Sequence, residues 1–389
     1  MPMSAKVPRY LLPIIIFSQF AGTSLWFAGN AIANDLQKVF DLPPGSLGNL
    51  TSAVQLGFIT GTLTFAFLVI ADRFSPSRVF FISATLGALA NISIYLFARG
   101  FWDIFAFRFL TGFFLAGIYP IGMKIAADWY AKDLGKALGY LVGALVLGKA
   151  FPHFLRFQGQ EWPWSAILLA TSIIAFAGGL SILLFVSDGP YRKKGSRFKI
   201  NVISEIFSFR QFRSAAFGYF GHMWELYAFW VFIPVFLQAH ASFSGNASLW
   251  SFFIIGIGAL GCILGGYWSL QKGSRHVAFR MLLTSAICCL LSPLASILHE
   301  LPFLLFMLIW GFSVVGDSPQ FSTLVAQNAP PQYIGSALTI VNCIGFFITI
   351  FSIELLNWLA VHAAISWIYL VLLPGPILGL WSIRLKQYG

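Results

Sequence analysis

The stretch GFFLAGIYP at residues 112–120 recurs in the second half of the chain as GFSVVGDSP at residues 311–319, with two Gly and one Pro matching at an offset of 199. Further along the chain the offset grows by one residue, and GKAL at 135–138 matches GSAL at 335–338. Six apolar segments separate the two copies, so both cross a membrane in the same direction. The match therefore predicts two equivalent halves related by an axis along the membrane normal.

The composition around this repeat is that of an integral membrane protein. Hydrophobic residues make up 58% of the 389 positions and charged residues only 10%, and the mean hydropathy is +0.81. Soluble domains carry about 25% charged residues. A hydrocarbon core of about 30 Å needs about 20 apolar residues per helix. We predict an all-α fold with twelve such spans, at 10–34, 46–70, 79–98, 104–127, 137–158, 163–186, 214–239, 247–270, 277–298, 301–327, 333–358 and 361–383.

Lys and Arg are distributed unevenly between the two sides of these spans. Nineteen lie on the side of both termini and three on the other, at Lys38, Arg99 and Arg156, while Arg108 and Lys149 lie inside spans. The positive-inside rule then predicts cytoplasmic termini. The net charge of +11 is mostly this orientation signal, so a nucleic-acid partner is not expected. The first span is too long for a signal-peptide core and is predicted to be retained.

The layout resembles that of the major facilitator superfamily: two six-helix halves, 1–187 and 214–389, joined by a basic loop at 188–213. ADRFSPSR at 71–78 resembles the acidic-basic motif between spans 2 and 3 of that family, although Leu68 and Ser75 stand where the family prefers Gly. Arg108 ahead of Gly112 and Gly117 resembles its span 4 signature. The second-half loop QKGSR at 271–275 lacks the acid, and the span 5 antiporter signature is absent.

The resemblance implies a secondary transporter that works by alternating access, with spans 1, 4, 7 and 10 lining a central cavity. On these spans we predict a set of polar and aromatic side chains as substrate contacts: Trp26, Asn30, Arg108, Tyr119, His222, Tyr227 and Gln320. Arg108 has two interpretations. Its guanidinium either binds an anionic substrate or holds span 4 against its neighbours.

Three charged residues, Lys149, Glu225 and Asp317, fall within about 5 Å of the middle of their spans, and Arg108 lies about 11 Å toward the outside. Charges at this depth are costly and commonly functional. One hypothesis is that Glu225 or Asp317 binds and releases a proton during transport, with Lys149 as a charge partner. The alternative is that the acids form static ion pairs with Lys149 or Arg108.

His222 and Glu225 are three residues apart and share a helix face. This spacing permits a proton relay, plain hydrogen bonding of His222, or a metal site, of which the metal site is disfavoured because further ligands are not in evidence. The four cysteines lie in apolar spans and show no disulfide or zinc spacing. No cofactor is predicted.

At the cytoplasmic ends of spans 2 and 3, Asp72, Arg73 and Arg78 are predicted to form a gate, with topological anchoring by the two arginines as the simpler alternative.

The sequence thus predicts a proton-coupled transporter, monomeric and in the bacterial inner membrane, for a small polar organic solute that is anionic or zwitterionic. Efflux of cationic or amphipathic compounds is the alternative. A membrane-embedded enzyme is disfavoured because the six His are scattered. A non-transporting receptor is disfavoured because long extramembrane loops are not found.

Overall fold

The computed structural model describes residues 7–43, 45–130, 134–192 and 200–384. Within them, eleven helices are long and apolar enough to cross a membrane, and a shorter apolar helix precedes them. The predicted cytoplasmic termini and the basic run at 193–199 fall outside the described residues. The split into domains at 187 and 214 stays a prediction.

The first half contains spans 1 to 6. Span 1 consists of Leu11–Thr23, Ala28–Ala31 and Ala33–Val39, and span 2 is Ser46–Phe67 followed by the short helix Ile70–Arg73. Span 3 is Pro76–Phe97, span 4 is Phe101–Leu115 plus Tyr119–Trp129, span 5 is Leu134–Gln158 and span 6 is Trp164–Phe185.

The second half follows the short helices Ile200–Val202 and Ile203–Ser208. Span 7 is Arg210–Ala239, span 8 is Ala247–Lys272 and span 9 is Ser274–Ala295. Span 10 is Glu300–Gly316 plus Ser318–Asn328, span 11 is Ile334–His362 after the 3-10 turn Pro331–Tyr333, and span 12 is Ile365–Leu372 plus Pro374–Arg384.

The repeat seen in the sequence reappears as matching breaks in spans 4 and 10. The first helix of span 4 ends at Leu115 and that of span 10 at Gly316, and the continuing helix carries Pro120 or Pro319 in its first turn. Proline is tolerated there because its missing N–H would have had no partner within the helix. The two breaks therefore have the same local cause.

Span 1 differs from the continuous helix predicted over 10–34. Its first helix ends at Thr23, and the chain resumes regular structure only at Ala28. No proline lies in this interruption. A helix inside a membrane can break without proline only if other groups satisfy the freed backbone carbonyls.

The two halves meet along two pairs of spans, 2 with 11 and 5 with 8. Toward the end where span 2 begins, called the outer end here, the carboxylate of Glu354 on span 11 accepts a hydrogen bond of 2.6 Å from Ser52 on span 2. Asn357 donates to the same carboxylate at 3.3 Å. The opposite, inner end is the one predicted to face the cytoplasm.

Candidate functional site

Lys149 lies in an aromatic cage at the interface of the two halves. Its ammonium is 3.9 Å from the ring centroid of Trp26, 4.4 Å from that of Tyr227 and 5.3 Å from that of Trp230. It also donates a hydrogen bond to the Tyr227 hydroxyl. Trp26 comes from span 1 and Lys149 from span 5, whereas Tyr227 and Trp230 come from span 7. We call these four residues the lysine cage.

The lysine cage is sealed from solvent, with Lys149 only 1% exposed. Among the described residues, no carboxylate lies within ion-pair distance of its ammonium. The predicted pairing with Glu225 or Asp317 is therefore not observed, because both acids have partners within the second half. Cation–π contacts stabilise Lys149 in their place.

Glu225, on span 7, faces spans 9 and 10. Its Oε1 accepts hydrogen bonds from the Ser285 hydroxyl, from the Trp310 indole at 2.6 Å and from the Cys289 thiol at 3.3 Å. All four side chains are buried. The second-half helices thus hold this carboxylate through neutral donors and not through a cation.

Asp317 lies at the break of span 10 and pairs with His222. Oδ1 of Asp317 is 2.8 Å from Nδ1 of His222, and both side chains are at most 1% exposed. His222 Nε2 has no hydrogen-bond partner among the described residues. His222 therefore contacts Asp317 and not Glu225, so the relay to Glu225 that the helical spacing permitted is not observed.

These acidic and imidazole groups do not gather into a metal centre. Within the described ranges, no cluster of three or more His, Cys, Asp or Glu side chains is placed to hold a metal ion.

Arg108 fills the gap left by the break in span 1. It donates to the carbonyl of Leu25 at 3.1 Å and to that of Trp26, and its side chain is 1% exposed. Gly29 permits this approach, since a Cβ there would lie 3.1 Å from Arg108 Nε. The contacts correspond to the second interpretation of Arg108, in which it holds span 4 against a neighbour.

The other residues predicted to contact the substrate lie around the lysine cage or bind other side chains. Asn30 donates to Thr51 at 2.8 Å, Gln320 is buried, and Tyr119 stacks on Phe58 with centroids 6.5 Å apart. Phe58 and Phe346 both pack on Trp26. Sequence reasoning missed these two phenylalanines, because 42 Phe residues give no signal that singles them out.

Among the predicted gate residues, Asp72 contacts residues other than Arg73 and Arg78. Asp72 pairs with Lys124 of span 4 at 2.9 Å, and its backbone carbonyl accepts from Arg192. Neither contact involves Arg73 or Arg78, and neither reaches the second half, since Lys124 lies on span 4 and Arg192 in the basic loop. Glu354, which does join the halves, was not predicted. In the sequence, a single carboxylate near the end of a span cannot be distinguished from a polar residue at the membrane surface.

The family model of the Major Facilitator Superfamily matches residues 12–353. The chain belongs to that superfamily. It is therefore an integral membrane protein, as the sequence predicted.

Among individual relatives, a Haemophilus influenzae protein named for metabolite transport is 30% identical over 158 residues, which are 39% of this chain and 36% of that protein. Escherichia coli K12 GarP, named as a probable galactarate/D-glucarate transporter, is 27% identical over 192 residues, 43% of this chain and 39% of GarP. The chain thus matches well under half the length of either relative.

Solved structures share the fold. The human organic anion transporter MFSD10 superposes with a TM-score of 0.71, covering 97% of this chain and 100% of that one at 15% identity. A bacterial homologue of the lysosomal transporter Spinster, inward-facing and unoccupied, gives a TM-score of 0.69 at the same identity, covering 97% of this chain and 95% of the other. Both confirm the predicted fold of the chain.

Proposed function

We propose that this transporter carries a small organic anion across the bacterial inner membrane by alternating access, coupled to protons. The observation that carries the proposal is the Lys149 ammonium, buried between the halves with no carboxylate beside it among the described residues. A cation in this environment is costly unless an opposite charge joins it. An anionic solute supplies that charge at the place where alternating access needs a binding site.

The named relatives support the same class of solute. GarP bears the name of a transporter for sugar diacids, and the Haemophilus protein that of a metabolite transporter. Efflux of cations, the alternative considered from the sequence, is not favoured because a cationic solute would be repelled by Lys149.

The proposed coupling uses Asp317 and His222. Their side chains meet inside the second half at the break of span 10, where the two helical segments permit movement relative to each other. A proton held by this pair changes its net charge in a region where charge is expensive. Glu225, which has three neutral donors, is proposed as a secondary proton site.

Proteoliposomes with the full-length protein test both parts. We expect uptake of a radiolabelled sugar acid to be faster with an inward proton gradient than without one. Asp317→Asn is expected to abolish this stimulation while anion exchange at equal pH continues, because the amide cannot exchange a proton. Asp103→Asn, at an exposed residue that accepts a hydrogen bond from the Arg99 backbone N–H, is the matched control. Equal uptake with and without the gradient in the unmodified protein would reject proton coupling.

The cytoplasmic position of both termini, the split into halves at 187 and 214 and the monomeric state are parts of the same proposal. Labelling of a terminal cysteine in right-side-out and inverted vesicles tests the orientation.

A further inference from the structure

Resting on the proposed function, we infer that the lysine cage binds a single carboxylate and that the transported solute is a monocarboxylate with an uncharged, hydroxyl-bearing remainder. The inference has three supports: unpartnered donors in the cage, the number of cations within reach, and the polar groups next to the cage.

The donors around Lys149 lack acceptors. The indole Nε1 atoms of Trp26 and Trp230 are buried and have no hydrogen-bond partner among the described residues. An indole N–H can only donate, and an ammonium has three N–H bonds and no acceptor. The Tyr227 hydroxyl takes one bond from Lys149. Because buried donors without acceptors are costly, the cage is suited to a ligand with several acceptor lone pairs and a negative charge, which describes a carboxylate.

The number of cations limits the ligand to one carboxylate. Arg108 is the other buried cation nearby, and its guanidinium is engaged by the Leu25 and Trp26 carbonyls. Lys124 pairs with Asp72 and Asp128. The remaining charged groups on spans 7 and 10 include Glu225 and Asp317, which repel an anion. A second carboxylate on the solute would therefore find no cation in the described part of the interface.

Uncharged polar groups lie next to the cage. Phe346, which packs against Trp26 and Tyr227, is one helical turn from Asn342. The Oδ1 of Asn342 accepts a hydrogen bond from Tyr219 at 2.8 Å. Tyr119 stacks on the other face of this region through Phe58. Hydroxyl and amide groups of this kind suit the hydroxyls of a sugar acid.

The cage is also assembled from both halves. Trp26 and Lys149 belong to the first half, Tyr227 and Trp230 to the second. A carboxylate that bonds to Trp26, Lys149 and Trp230 together is held fully only when the halves are closed over it. Binding is thereby linked to closure.

Three six-carbon probes of different charge test the inference on the purified full-length protein: D-gluconate with one carboxylate, D-glucarate with two, and D-glucose with none. The affinity of each probe is measured by its inhibition of the uptake of a radiolabelled sugar acid and by the thermal shift that it produces. We expect D-gluconate to bind at least tenfold more tightly than D-glucarate, and D-glucose not to bind measurably.

Variants then connect the preference to the cage. Lys149→Gln should abolish D-gluconate binding, and Lys149→Arg should retain part of it. Trp230→Phe and Trp26→Phe, which keep an aromatic ring but lose the N–H, should each weaken it about ten- to a hundredfold, as loss of a hydrogen bond to a charged group does. Trp381→Phe, at an exposed residue on span 12, should not change D-gluconate binding. Gel filtration verifies that each variant is folded, and the two Phe variants remain informative if a Lys149 variant is not.

Two failures are distinguishable. If D-glucarate binds as tightly as D-gluconate, or if D-gluconate binding survives Lys149→Gln, the single-carboxylate cage is rejected although anion transport stands. If no anion is taken up while a cationic or neutral solute is, the proposed function is rejected as well.

Discussion

At the scale of single residues, Arg108 shows how one side chain can allow a membrane helix to break. Its guanidinium replaces two backbone hydrogen bonds that span 1 forgoes after Thr23. The Trp26 main chain is thus fixed by Arg108 while the Trp26 ring covers Lys149. A change at Arg108 is therefore expected to disturb the lysine cage even without direct contact.

We predict that Arg108→Ala destabilises the protein, because the Leu25 and Trp26 carbonyls lose their partner at a cost of about 1–3 kcal/mol for each unsatisfied buried group. The stability of Arg108→Lys should lie between that of the unmodified protein and that of Arg108→Ala, because an ammonium donates hydrogen bonds but lacks the fork of the guanidinium. Thermal unfolding in detergent measures the effect. Arg99→Ala outside the spans is the control, and an unchanged midpoint in Arg108→Ala would contradict the role assigned here.

The sequence identified Lys149, Glu225, Asp317 and Arg108 as unusual because buried charge is rare in apolar spans. It did not identify their partners. The partners of Glu225 are a serine, a cysteine and a tryptophan on other helices, residue types that are common throughout the chain. Which of them faces Glu225 depends on helix rotation and tilt, and twelve similar apolar patterns do not determine these.

At the scale of elements, glycines let spans 2 and 4 touch backbone to backbone, and spans 8 and 10 repeat the contact. A Cβ on Gly112 would lie 2.1 Å from the Val54 carbonyl oxygen, and one on Gly311 would lie 2.0 Å from that of Ile254. Gly61 and Gly261 meet the carbonyls of Phe113 and Phe312 in the same way, at 2.3 and 2.2 Å. The glycine repeat noticed in the sequence thus has a packing cause.

We predict that Gly112→Ala and Gly311→Ala destabilise the protein to similar degrees. A methyl group at either site forces two helix backbones apart, and overpacking of this kind costs about 1–3 kcal/mol. Thermal unfolding and the yield of monodisperse protein measure the loss. Gly266→Ala is the matched control, because a Cβ there meets nothing within 4 Å, and alanine favours a helix. A midpoint for Gly112→Ala equal to that of the control would refute the contact.

The sequence predicted the positions of the spans well at this scale, but spans 1, 4, 10 and 12 are each divided into shorter helical segments. Hydropathy records which residues lie in the bilayer, and it fixes span number because each crossing needs a minimum apolar length. It does not record whether a helix is continuous. The break at 24–27 depends on Arg108, which is more than eighty residues away in the chain.

At the scale of the whole molecule, Glu354 links the halves at the outer end. Ser52 and Asn357 donate to its carboxylate, and rotating the Asn49 amide by half a turn would bring its nitrogen within 2.8 Å of the same carboxylate. The Ser52 bond crosses from span 2 to span 11 and must break when the halves separate at that end, whereas the Asn357 bond lies within span 11. The Ser52 bond therefore favours the state that is closed on the outer side.

We predict that Glu354→Gln weakens this closure, since a neutral amide oxygen is a poorer acceptor than a carboxylate. A cysteine at Val235, beside the outer end of the interface, should then react faster with a membrane-impermeant maleimide. Glu300→Gln serves as the control, because Glu300 binds Ser244 and Gly245 within one half. Identical labelling rates in both backgrounds would count against the link.

The glycine contacts also have a mechanical consequence. Where two backbones touch, no side chains lie between them that could change rotamer and absorb a displacement, so spans 2 and 4, and likewise 8 and 10, resist sliding past one another. Each half is then expected to move as a rigid body, with bending concentrated at the broken spans 1, 4 and 10. A displacement caused by a ligand between the halves is therefore carried to the ends of the spans.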